Sequence, residues 1–450
     1  MNHLSKNTIS NILCVIPPYI PSYFNAGHHL PLFQVGSYLR QADTQLTVTC
    51  IDAGALNYTW KEICDLLMQP FDVIVLMNDF DAVDTFPRFM KYKEVFCPQA
   101  HVITFGRLSK QIPRFFFQFG INAVHATGDY ESGVLAYLQY LNDVNKQPPG
   151  VLLSRDDTPI EGVYLNSEHW VLPDVTEIPY TSYNFMYRND LNKFCGIPQR
   201  QELVIPLARG CPFCCPFCDV PPMQGKIERR LSVDRTIAYI KDSFIKQPFE
   251  YVSFYCPTFT LHHNWVHEFC SKISQEEIRY PWKCITVLKC LNRALVKEMA
   301  ASGCIRISLG IESFTEKAAM GLPKCKQEIL KPFEEMVLIC NEFNVELNCF
   351  IMLGIPGDTP ENVKFTIETC LHHGARIRPT IYTSYQFLRE DMTIEEVGEF
   401  NRQFFPTNYL DPAIARKYFE LFYTLDGDKP TSVANNIPTH NEQVTKLSLV

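Results

Sequence analysis

Residues 209–218 read Arg-Gly-Cys-Pro-Phe-Cys-Cys-Pro-Phe-Cys, which places four cysteines within eight positions. Just before them, residues 202–207 form a short apolar run that predicts a buried strand. The cysteines are therefore expected on a loop at the carboxyl end of a strand. In α/β folds, that end of the sheet is where ligands bind.

The spacing of these cysteines leaves several chemistries open. Cys211, Cys215 and Cys218 form a C-x3-C-x2-C set, in which three thiolates hold three irons of a [4Fe–4S] cluster and leave the fourth iron open. Two zinc-binding C-x2-C pairs are normally separated by about a dozen residues, whereas these adjoin. A thioredoxin-like redox pair opens a helix once, and here the motif is repeated in tandem. Four buried structural thiols are the last alternative. We favour the open cluster, with Cys214 as a small side chain that fills the loop.

The cysteine spacing also carries a family resemblance. With Phe217 before the last cysteine and Arg209-Gly210 before the first, the motif resembles the radical S-adenosylmethionine (SAM) superfamily, from about residue 174 to about residue 400. The resemblance implies that SAM binds the open iron through its amino and carboxylate groups. It also implies that one electron from the cluster cleaves a C–S bond to give a 5′-deoxyadenosyl radical. Phe217 is then expected among the cofactor-binding residues.

Composition limits the class of protein and its partners. The chain has 450 residues, enough for two or three domains, and its 46% apolar and 20% charged content is that of a soluble globular protein. The net charge of −8 and the lack of a basic run argue against nucleic acid or an anionic membrane as partners. No apolar run reaches the roughly 18 residues of a membrane span. Eighteen cysteines without an export signal predict the reducing cytoplasm.

The N-terminal third alternates apolar strands with helices. This pattern predicts a doubly wound parallel sheet of five strands over residues 8–145. The predicted strands are 11–16, 46–51, 72–77, 101–105 and 123–125, and the helices lie near 32–39, 60–67, 86–96, 112–119 and 131–141.

Such a sheet before a radical SAM region resembles the cobalamin-binding domain of the cobalamin-dependent subgroup. The resemblance implies that Gly106 and Gly128, which follow the fourth and fifth strands, allow close approach of the corrinoid's nucleotide tail. The Asp-x-His-x-x-Gly loop that donates a histidine to cobalt is absent, because no Asp stands two residues before His28 or His29. We therefore expect cobalamin without a protein histidine on cobalt. The alternative is a flavodoxin-like domain that binds no cofactor and only docks the barrel.

A second alternation follows a predicted linker at 146–200. Six strand–helix units over residues 201–386 are too few for a closed eight-fold barrel, and the resemblance implies a partial (β/α)6 barrel. A helical C-terminal region at 387–427 is expected to cover the open barrel face, and a polar tail at 428–450 is expected to be poorly ordered. The predicted barrel strands are 202–207, 251–255, 283–287, 305–309, 347–352 and 380–385, and the helices are 234–245, 265–273, 293–301, 326–343, 360–373, 394–405 and 411–422.

Two strand ends of this barrel carry candidate SAM-binding residues. Glu312 and Ser313 end the fourth strand, and an unpaired Glu is costly to bury unless it binds a cation. Gly354, Pro356 and Gly357 form a tight turn into a helix N-terminus, which suits backbone contacts with a ligand. The resemblance assigns Glu312 and Ser313 to the ribose or amino group of SAM, and the glycine turn to its adenine.

Two other strand ends depart from the family pattern. Relatives often have Asp at the position of Cys256, and Arg and Asp at those of Val287 and Lys289. The usual contact with the carboxylate of SAM is therefore in doubt. Lys289 is either a replacement for the missing charge or a surface lysine, and buried packing is favoured for Cys256.

The resemblance implies a cobalamin-dependent radical SAM enzyme that uses a [4Fe–4S] cluster, SAM and cobalamin. Its expected reaction is methylation of an unactivated carbon, or a phosphinate phosphorus, in a small molecule or natural product. One SAM would methylate cobalamin, and a second would give the radical that activates the substrate. An external donor such as flavodoxin or ferredoxin is expected to supply electrons. The alternatives are a radical rearrangement or ring contraction with the same cofactors, and a non-catalytic iron–sulfur or zinc protein.

Overall fold

The computed structural model describes residues 9–19, 28–143, 147–187, 196–197, 199–276, 279–382, 385–402, 411–424 and 437. Contacts divide the chain into two compact units. The first comprises Met1–Met186, Met223–Gly225 and Tyr385–Gln403, and the second comprises Tyr187–Pro222, Lys226–Ser384 and Phe404–Val450.

The first unit is built on a six-stranded sheet with strand order β2-β1-β3-β4-β5-β6. The first five strands are parallel, as predicted, because helices cross over between them. Its strands are β1 (Asn11–Ile16), β2 (Thr47–Asp52), β3 (Val73–Met77), β4 (His101–Phe105), β5 (Ala123–His125) and β6 (Val151–Leu152). Its helices are α1 (Leu30–Ala42), α2 (Trp60–Leu67), α3 (Phe86–Phe96), α4 (Arg107–Gln111) and α5 (Tyr130–Asn142), and α6 (Tyr180–Tyr187) ends at the boundary of the two units.

Local sequence explains these elements. All five residues of β3 are apolar and buried, as expected for a central parallel strand covered on both faces. Helix α2 begins with a capping box, in which Thr59 and Glu62 each satisfy a backbone N–H of the other. The helix predicted at 112–119 is instead the short α4 followed by a 3-10 helix, Pro113–Phe119, because Pro113 cannot continue the α-helical hydrogen-bond ladder.

The described residues of the predicted linker 146–200 are largely part of the first unit. Strand β6 pairs antiparallel with β5, and the Asp129 N–H donates to the Val163 carbonyl at 2.9 Å. Trp170 is buried, and its indole N–H donates to the Leu165 carbonyl at 3.3 Å. The proline-rich composition of this segment predicts a linker. The segment also buries apolar side chains such as Trp170, which composition alone does not predict.

The second unit is built on six parallel strands in the order β14-β13-β12-β11-β10-β7. Each strand therefore pairs with the next one along the chain, and the sheet has two edges, as expected for a partial barrel. The strands are β7 (Glu202–Pro206), β8 (Ala208–Arg209), β9 (Arg229–Arg230), β10 (Tyr251–Tyr255), β11 (Trp282–Thr286), β12 (Cys304–Glu312), β13 (Glu346–Leu353) and β14 (Arg376–Ile381), with β8 and β9 forming a separate antiparallel pair.

The helices of this region follow the predicted alternation. The Thr359 side chain caps the helix that begins at Pro360, as predicted. The helix predicted from residue 326 instead begins at Leu330, and Lys326 lies in a 3-10 turn, Lys324–Lys326. The helices are α7 (Val220–Gln224), α8 (Val233–Lys246), α9 (His263–Ile273), α10 (Arg293–Ala301), α11 (Glu316–Ala319), α12 (Leu330–Glu342) and α13 (Pro360–His372).

The C-terminal helices α14 (Ile394–Arg402) and α15 (Pro412–Thr424) belong to different units. Helix α14 begins with the predicted Thr393–Glu396 capping box, and Val397 packs in the hydrophobic core of the first unit. Helix α15 packs against α13 in the second unit. Val397 thus belongs to the core of the first unit, and the expectation that this region covers the open barrel face stays a prediction.

Ile437 is the one described residue of the predicted poorly ordered tail, and it is buried against Ile197 and Tyr251. This apolar residue departs from the polar character on which the prediction of a poorly ordered tail was based. Across the described residues, no helix is both long and apolar enough to cross a membrane.

Candidate functional site

The cysteine loop connects β8 with α7 at the carboxyl end of the barrel strands. Cys211 is buried, Cys215 and Cys218 are half-buried, and Cys214 is exposed. The Cys218 N–H donates to the Cys215 carbonyl at 3.0 Å, and Cys214 has a left-handed backbone with φ 49°. The loop therefore buries the three predicted ligands wholly or partly and exposes the fourth thiol.

The three thiols lie within electrostatic reach of one another. Burial, with a smaller contribution from the charge of Cys211, raises the pKa of Cys215 to about 11 and that of Cys218 to about 12. Burial also raises the pKa of Cys211, and the charge of the exposed Cys214 adds to this increase. Without metal the three thiols are therefore protonated at neutral pH.

Within the described part of the chain, no three His, Cys, Asp or Glu side chains converge as they would around a single metal ion. A four-iron cluster makes a different demand, because each thiolate binds its own iron.

A buried ion pair lies beside these thiols. Glu312, only 4% exposed, ends β12 with a left-handed backbone of φ 63°, and the Lys326 ammonium donates to its carboxylate at 2.5 Å. Burial alone would lower the pKa of Lys326, but the charges of Glu312 and Cys215 raise it overall. Left-handed backbone in a non-glycine residue costs about 1–3 kcal/mol and is concentrated at functional sites. The sequence reasoning missed Lys326, whose only signal is its place in the turn after a strand that ends in Glu.

Phe217 occupies an apolar pocket next to this pair. It packs against the buried Met352, Ile355 and Tyr382, and the Lys326 ammonium lies 5.8 Å from the centroid of its ring. The aromatic ring therefore packs the cysteine loop against the ends of β13 and β14.

The predicted glycine turn is tied to the end of β12. Gly354 and Gly357 have φ of 82° and 87°, which favour glycine, and the Thr315 hydroxyl donates to Asp358 at 3.4 Å. Ser313 is fully buried and shares a 2.8 Å hydrogen bond with the Thr315 hydroxyl. Burial raises the pKa of Asp358. These hydrogen bonds connect the residues after β12 with the turn after β13, and together they form a polar rim at this end of the sheet.

A second buried carboxylate, also missed by the sequence reasoning, acts electrostatically on the cysteine loop. The side chain of Glu228 is 2% exposed, and one of its oxygens accepts from Arg230 at 2.8 Å. Arg230 in turn donates to the carbonyls of Phe259 at 2.7 Å and Thr258 at 3.0 Å. The Glu228 charge raises the pKa of Cys211 and contributes to the raised pKa of Cys256, which is buried as favoured.

In the first unit, both predicted glycines lie against backbone. A Cβ on Gly106, at φ 136°, would come within 2.0 Å of the Asn78 carbonyl oxygen, and one on Gly128 within 2.7 Å of the Gly162 backbone. Close packing inside the unit is thus enough to require both glycines, and their contact with a corrinoid remains a prediction.

The carboxyl edge of this sheet holds an enclosed charge network. His29, 3% exposed, lies 2.9 Å from Asp52 through Nδ1 and 3.5 Å from Asp81 through Nε2. The Tyr183 hydroxyl donates to Asp52 at 2.6 Å. Burial opposes the charge on His29, but the two carboxylates raise its pKa to about 10. His28 packs edge-on against the Tyr183 ring, with 4.7 Å between the centroids.

The chain combines a cysteine loop at the carboxyl end of a six-stranded partial barrel with a separate parallel sheet. This combination indicates the class of protein. Residues 205–370 match the family model of the radical SAM superfamily, so the chain carries a radical SAM domain. The predicted class is thereby confirmed at the level of domain and fold.

Known proteins share this architecture. One is TsrM, a radical SAM methyltransferase from Kitasatospora setae that was solved with tryptophan and a SAM analogue. Its match has a TM-score of 0.67 at 13% sequence identity and covers 83% of this chain and 72% of the TsrM chain. The cobalamin-dependent radical SAM enzyme OxsB, solved with aqua-cobalamin, matches 97% of this chain and 64% of its own with a TM-score of 0.63 at 15% identity. In sequence, an uncharacterised methyltransferase of Pyrococcus horikoshii is 28% identical over 200 residues, 44% of this chain. The match spans 42% of that curated relative's length.

Proposed function

We propose that this chain is a cobalamin-dependent radical SAM methyltransferase that acts on an unactivated carbon, or a phosphinate phosphorus, of a small molecule or natural product. The observation that carries the proposal is the set of three mutually interacting thiols beside the buried Lys326–Glu312 pair. The fold it shares with TsrM and OxsB supports the proposal.

The donor set fits a [4Fe–4S] cluster held by Cys211, Cys215 and Cys218. Burial raises the pKa of all three thiols, so they need positive charge to ionise, and cluster irons supply it. When bound, the cluster supplies the electron for SAM cleavage and cobalamin carries the methyl group. Cys214 is exposed and is not needed for this set.

The residues around the loop fit the methionine end of SAM. Lys326 and Glu312 offer one positive and one negative charge for its carboxylate and amino groups, and both are buried, where such charges act strongly. Phe217 excludes water from one side of the site. Ser313 and the turn of Gly354, Pro356 and Gly357 lie at the polar rim, where backbone groups suit the adenosine.

The first unit fits a corrinoid without a protein histidine on cobalt. Both nitrogens of His29 face carboxylates, and His28 lies against the Tyr183 ring. The fold is the observation that supports cobalamin here, with Gly106 and Gly128 as predicted contacts. We further propose an external electron donor such as flavodoxin or ferredoxin and a cytoplasmic location, on the ground of the 18 cysteines.

The test is anaerobic incubation of the reconstituted full chain with hydroxocobalamin, a strong reductant and SAM labelled in its methyl group. We expect 5′-deoxyadenosine, and methyl label in the corrinoid fraction, both by mass spectrometry. The Cys218→Ala variant is the control and should give neither product. Wild-type protein that retains corrinoid and cluster but gives neither product would overturn the proposal.

A further inference from the structure

One carboxylate of the second unit is buried with an oxygen that receives no hydrogen bond from the described residues. The side chain of Glu228 is 2% exposed, and its Oε1 accepts from Arg230 Nε at 2.8 Å. His262 Nε2 lies 3.5 Å from the same oxygen. The other oxygen, Oε2, is buried, and within the described part of the chain no donor reaches it. A buried carboxylate oxygen without a donor is unfavourable, so this position suits an N–H or O–H group of a ligand.

Strand pairing places Glu228 beside the cysteine loop. Strands β8 and β9 pair antiparallel, with Arg209 opposite Arg229. The same register, continued by one residue, brings Glu228 opposite Gly210, which directly precedes Cys211. Because β8 leads straight into the cysteine loop, the pairing fixes the position of Glu228 relative to that loop.

The ion pair with Arg230 ties the Glu228 carboxylate to the end of β10. Glu228 and Arg230 are two residues apart, so an extended chain directs their side chains to the same face. The Arg230 guanidinium donates to the carbonyls of Phe259 at 2.7 Å and Thr258 at 3.0 Å, in the loop after β10. It also lies 5.1 Å from the centroid of the Trp265 ring. The carboxylate is therefore held by the strand before the cysteine loop and by the loop after β10, both at the carboxyl end of the barrel strands.

We propose that Glu228 Oε2 accepts a hydrogen bond from the α-amino group of SAM. This inference rests on the proposed function, in which SAM binds the open iron through its amino and carboxylate groups. The α-ammonium group gives one proton to solvent when its nitrogen binds iron, and the resulting neutral amine keeps two N–H donors. Glu312 accepts one of them and Glu228 accepts the other. No electron is transferred in this step.

A neutral N–H donor suits this carboxylate better than a second cation does. Arg230 already balances the charge of Glu228, so a further buried cation would leave an uncompensated positive charge. The carboxylate of SAM is left to the buried Lys326. Lys289, whose role the sequence left open, is exposed and donates to the Lys324 carbonyl at 3.1 Å, so it is a surface lysine with a structural contact.

The experiment is isothermal titration of the anaerobic, cluster-loaded full chain with SAM and, separately, with 5′-methylthioadenosine, which has the adenosine half of SAM but no amino acid. Glu228→Gln keeps the shape of the side chain and an oxygen for Arg230, but it replaces Oε2 with an –NH2 group that cannot accept. We expect the Kd for SAM to rise about tenfold in this variant. Iron content and the Kd for 5′-methylthioadenosine should keep their wild-type values.

Glu250→Gln is the matched control. Glu250 is also a buried partner of an arginine, accepting from Arg200 at 2.8 Å, but its second oxygen accepts from the Gln201 N–H at 2.9 Å. It precedes β10, at the amino end of the same sheet. Because this substitution removes a buried charge far from the cysteine loop, the Kd for SAM should not change.

Each contrary result has one meaning. An unchanged Kd for SAM in Glu228→Gln would overturn the assignment of Glu228 and leave the proposed function intact. Equal weakening of SAM and 5′-methylthioadenosine, loss of iron in Glu228→Gln, or the same rise of Kd in Glu250→Gln would also overturn it, because each indicates a structural role. A wild-type chain that binds no cluster or no SAM would overturn the proposed function together with this inference.

Discussion

Both units bury charged side chains at the carboxyl edge of a parallel sheet, but only the second places buried thiols beside its ion pair. In the first unit, His29 lies between Asp52 and Asp81, and Tyr183 adds a hydrogen bond. In the second unit, the Lys326–Glu312 pair stands beside three thiols whose ionisation is opposed by burial and by one another.

The group in the first unit therefore has the features of a structural network, and the group in the second has those of a candidate cofactor site. Removing one member of a buried ion-pair network costs stability, because its partners are left charged and unpaired. A group of thiols that cannot ionise together gains from a cationic partner instead. Substitutions in the first unit should therefore affect folding, and those in the second should affect cofactor binding.

The largest effect is expected at the cysteine loop. Replacing Cys211, Cys215 or Cys218 singly with Ala should abolish nearly all cluster iron, seen as loss of the broad absorbance near roughly 400 nm, because each thiolate holds one iron. Cys214→Ala is the matched control and should keep the wild-type iron content. Equal iron loss in Cys214→Ala and Cys215→Ala would contradict the assignment of ligands.

The next effect is on the stability of the first unit. His29→Ala leaves Asp52 and Asp81 buried without their shared cation, so the free energy of unfolding should fall by about 3–5 kcal/mol. Urea unfolding followed by circular dichroism measures this loss. His169→Ala, which removes an exposed histidine of the same unit, should leave the midpoint unchanged. A small loss in His29→Ala would mean that His29 does not stabilise the two buried carboxylates.

SAM binding should depend on the ion pair of the second unit. Glu312→Ala should weaken SAM binding on the order of tenfold, the loss of about 1.4 kcal/mol expected for one charge-assisted contact, while iron content stays at the wild-type value. Isothermal titration of the anaerobic holoprotein gives the Kd. The control is Glu316→Ala on the exposed face of α11. An unchanged Kd in Glu312→Ala would remove Glu312 from the site.

The two networks also differ in their response to pH. The folded pKa of His29 is raised to about 10, above the unfolded value of about 6.5. Its contribution is therefore fully present below about pH 6.5 and is lost as pH rises toward 10, on the order of 1 kcal/mol per pH unit. The free energy of unfolding, measured between pH 7 and 9, should fall with this slope in the wild type and lack it in His29→Ala. The same slope in both proteins would exclude His29 as its source.

The fold was more predictable from sequence than the two networks. Apolar runs such as β3 and capping pairs such as Thr359 with Pro360 act locally, so periodicity and caps located both sheets. Strand β6 has two residues, too few for a detectable pattern. The apolar face of α14 was visible, but nothing in its sequence indicates which core Val397 enters.

The candidate site was predictable where its residues are close in sequence. The three cysteines form one motif, and Glu312 is conspicuous as a carboxylate at the end of an apolar strand. Lys326 stands 14 residues later, and only the folded turn brings it to Glu312. Likewise, Asp52 ends β2 while His29 and Asp81 follow β1 and β3, so their convergence depends on the strand order β2-β1-β3.

The smallest expected effect tests how completely the first network satisfies its members. Tyr183→Phe removes a buried hydroxyl that donates to Asp52 at 2.6 Å, but Asp52 keeps His29, the Tyr19 hydroxyl at 3.1 Å and the Ala55 N–H at 2.8 Å. Because the carboxylate retains three donors, the free energy of unfolding should fall by only about 1 kcal/mol. Urea unfolding of the variant beside His29→Ala and the double variant gives the coupling between the two side chains. If the free energy of unfolding falls as much in Tyr183→Phe as in His29→Ala, the hydroxyl is as necessary as the cation. The remaining hydrogen bonds to Asp52 would then not compensate for its loss.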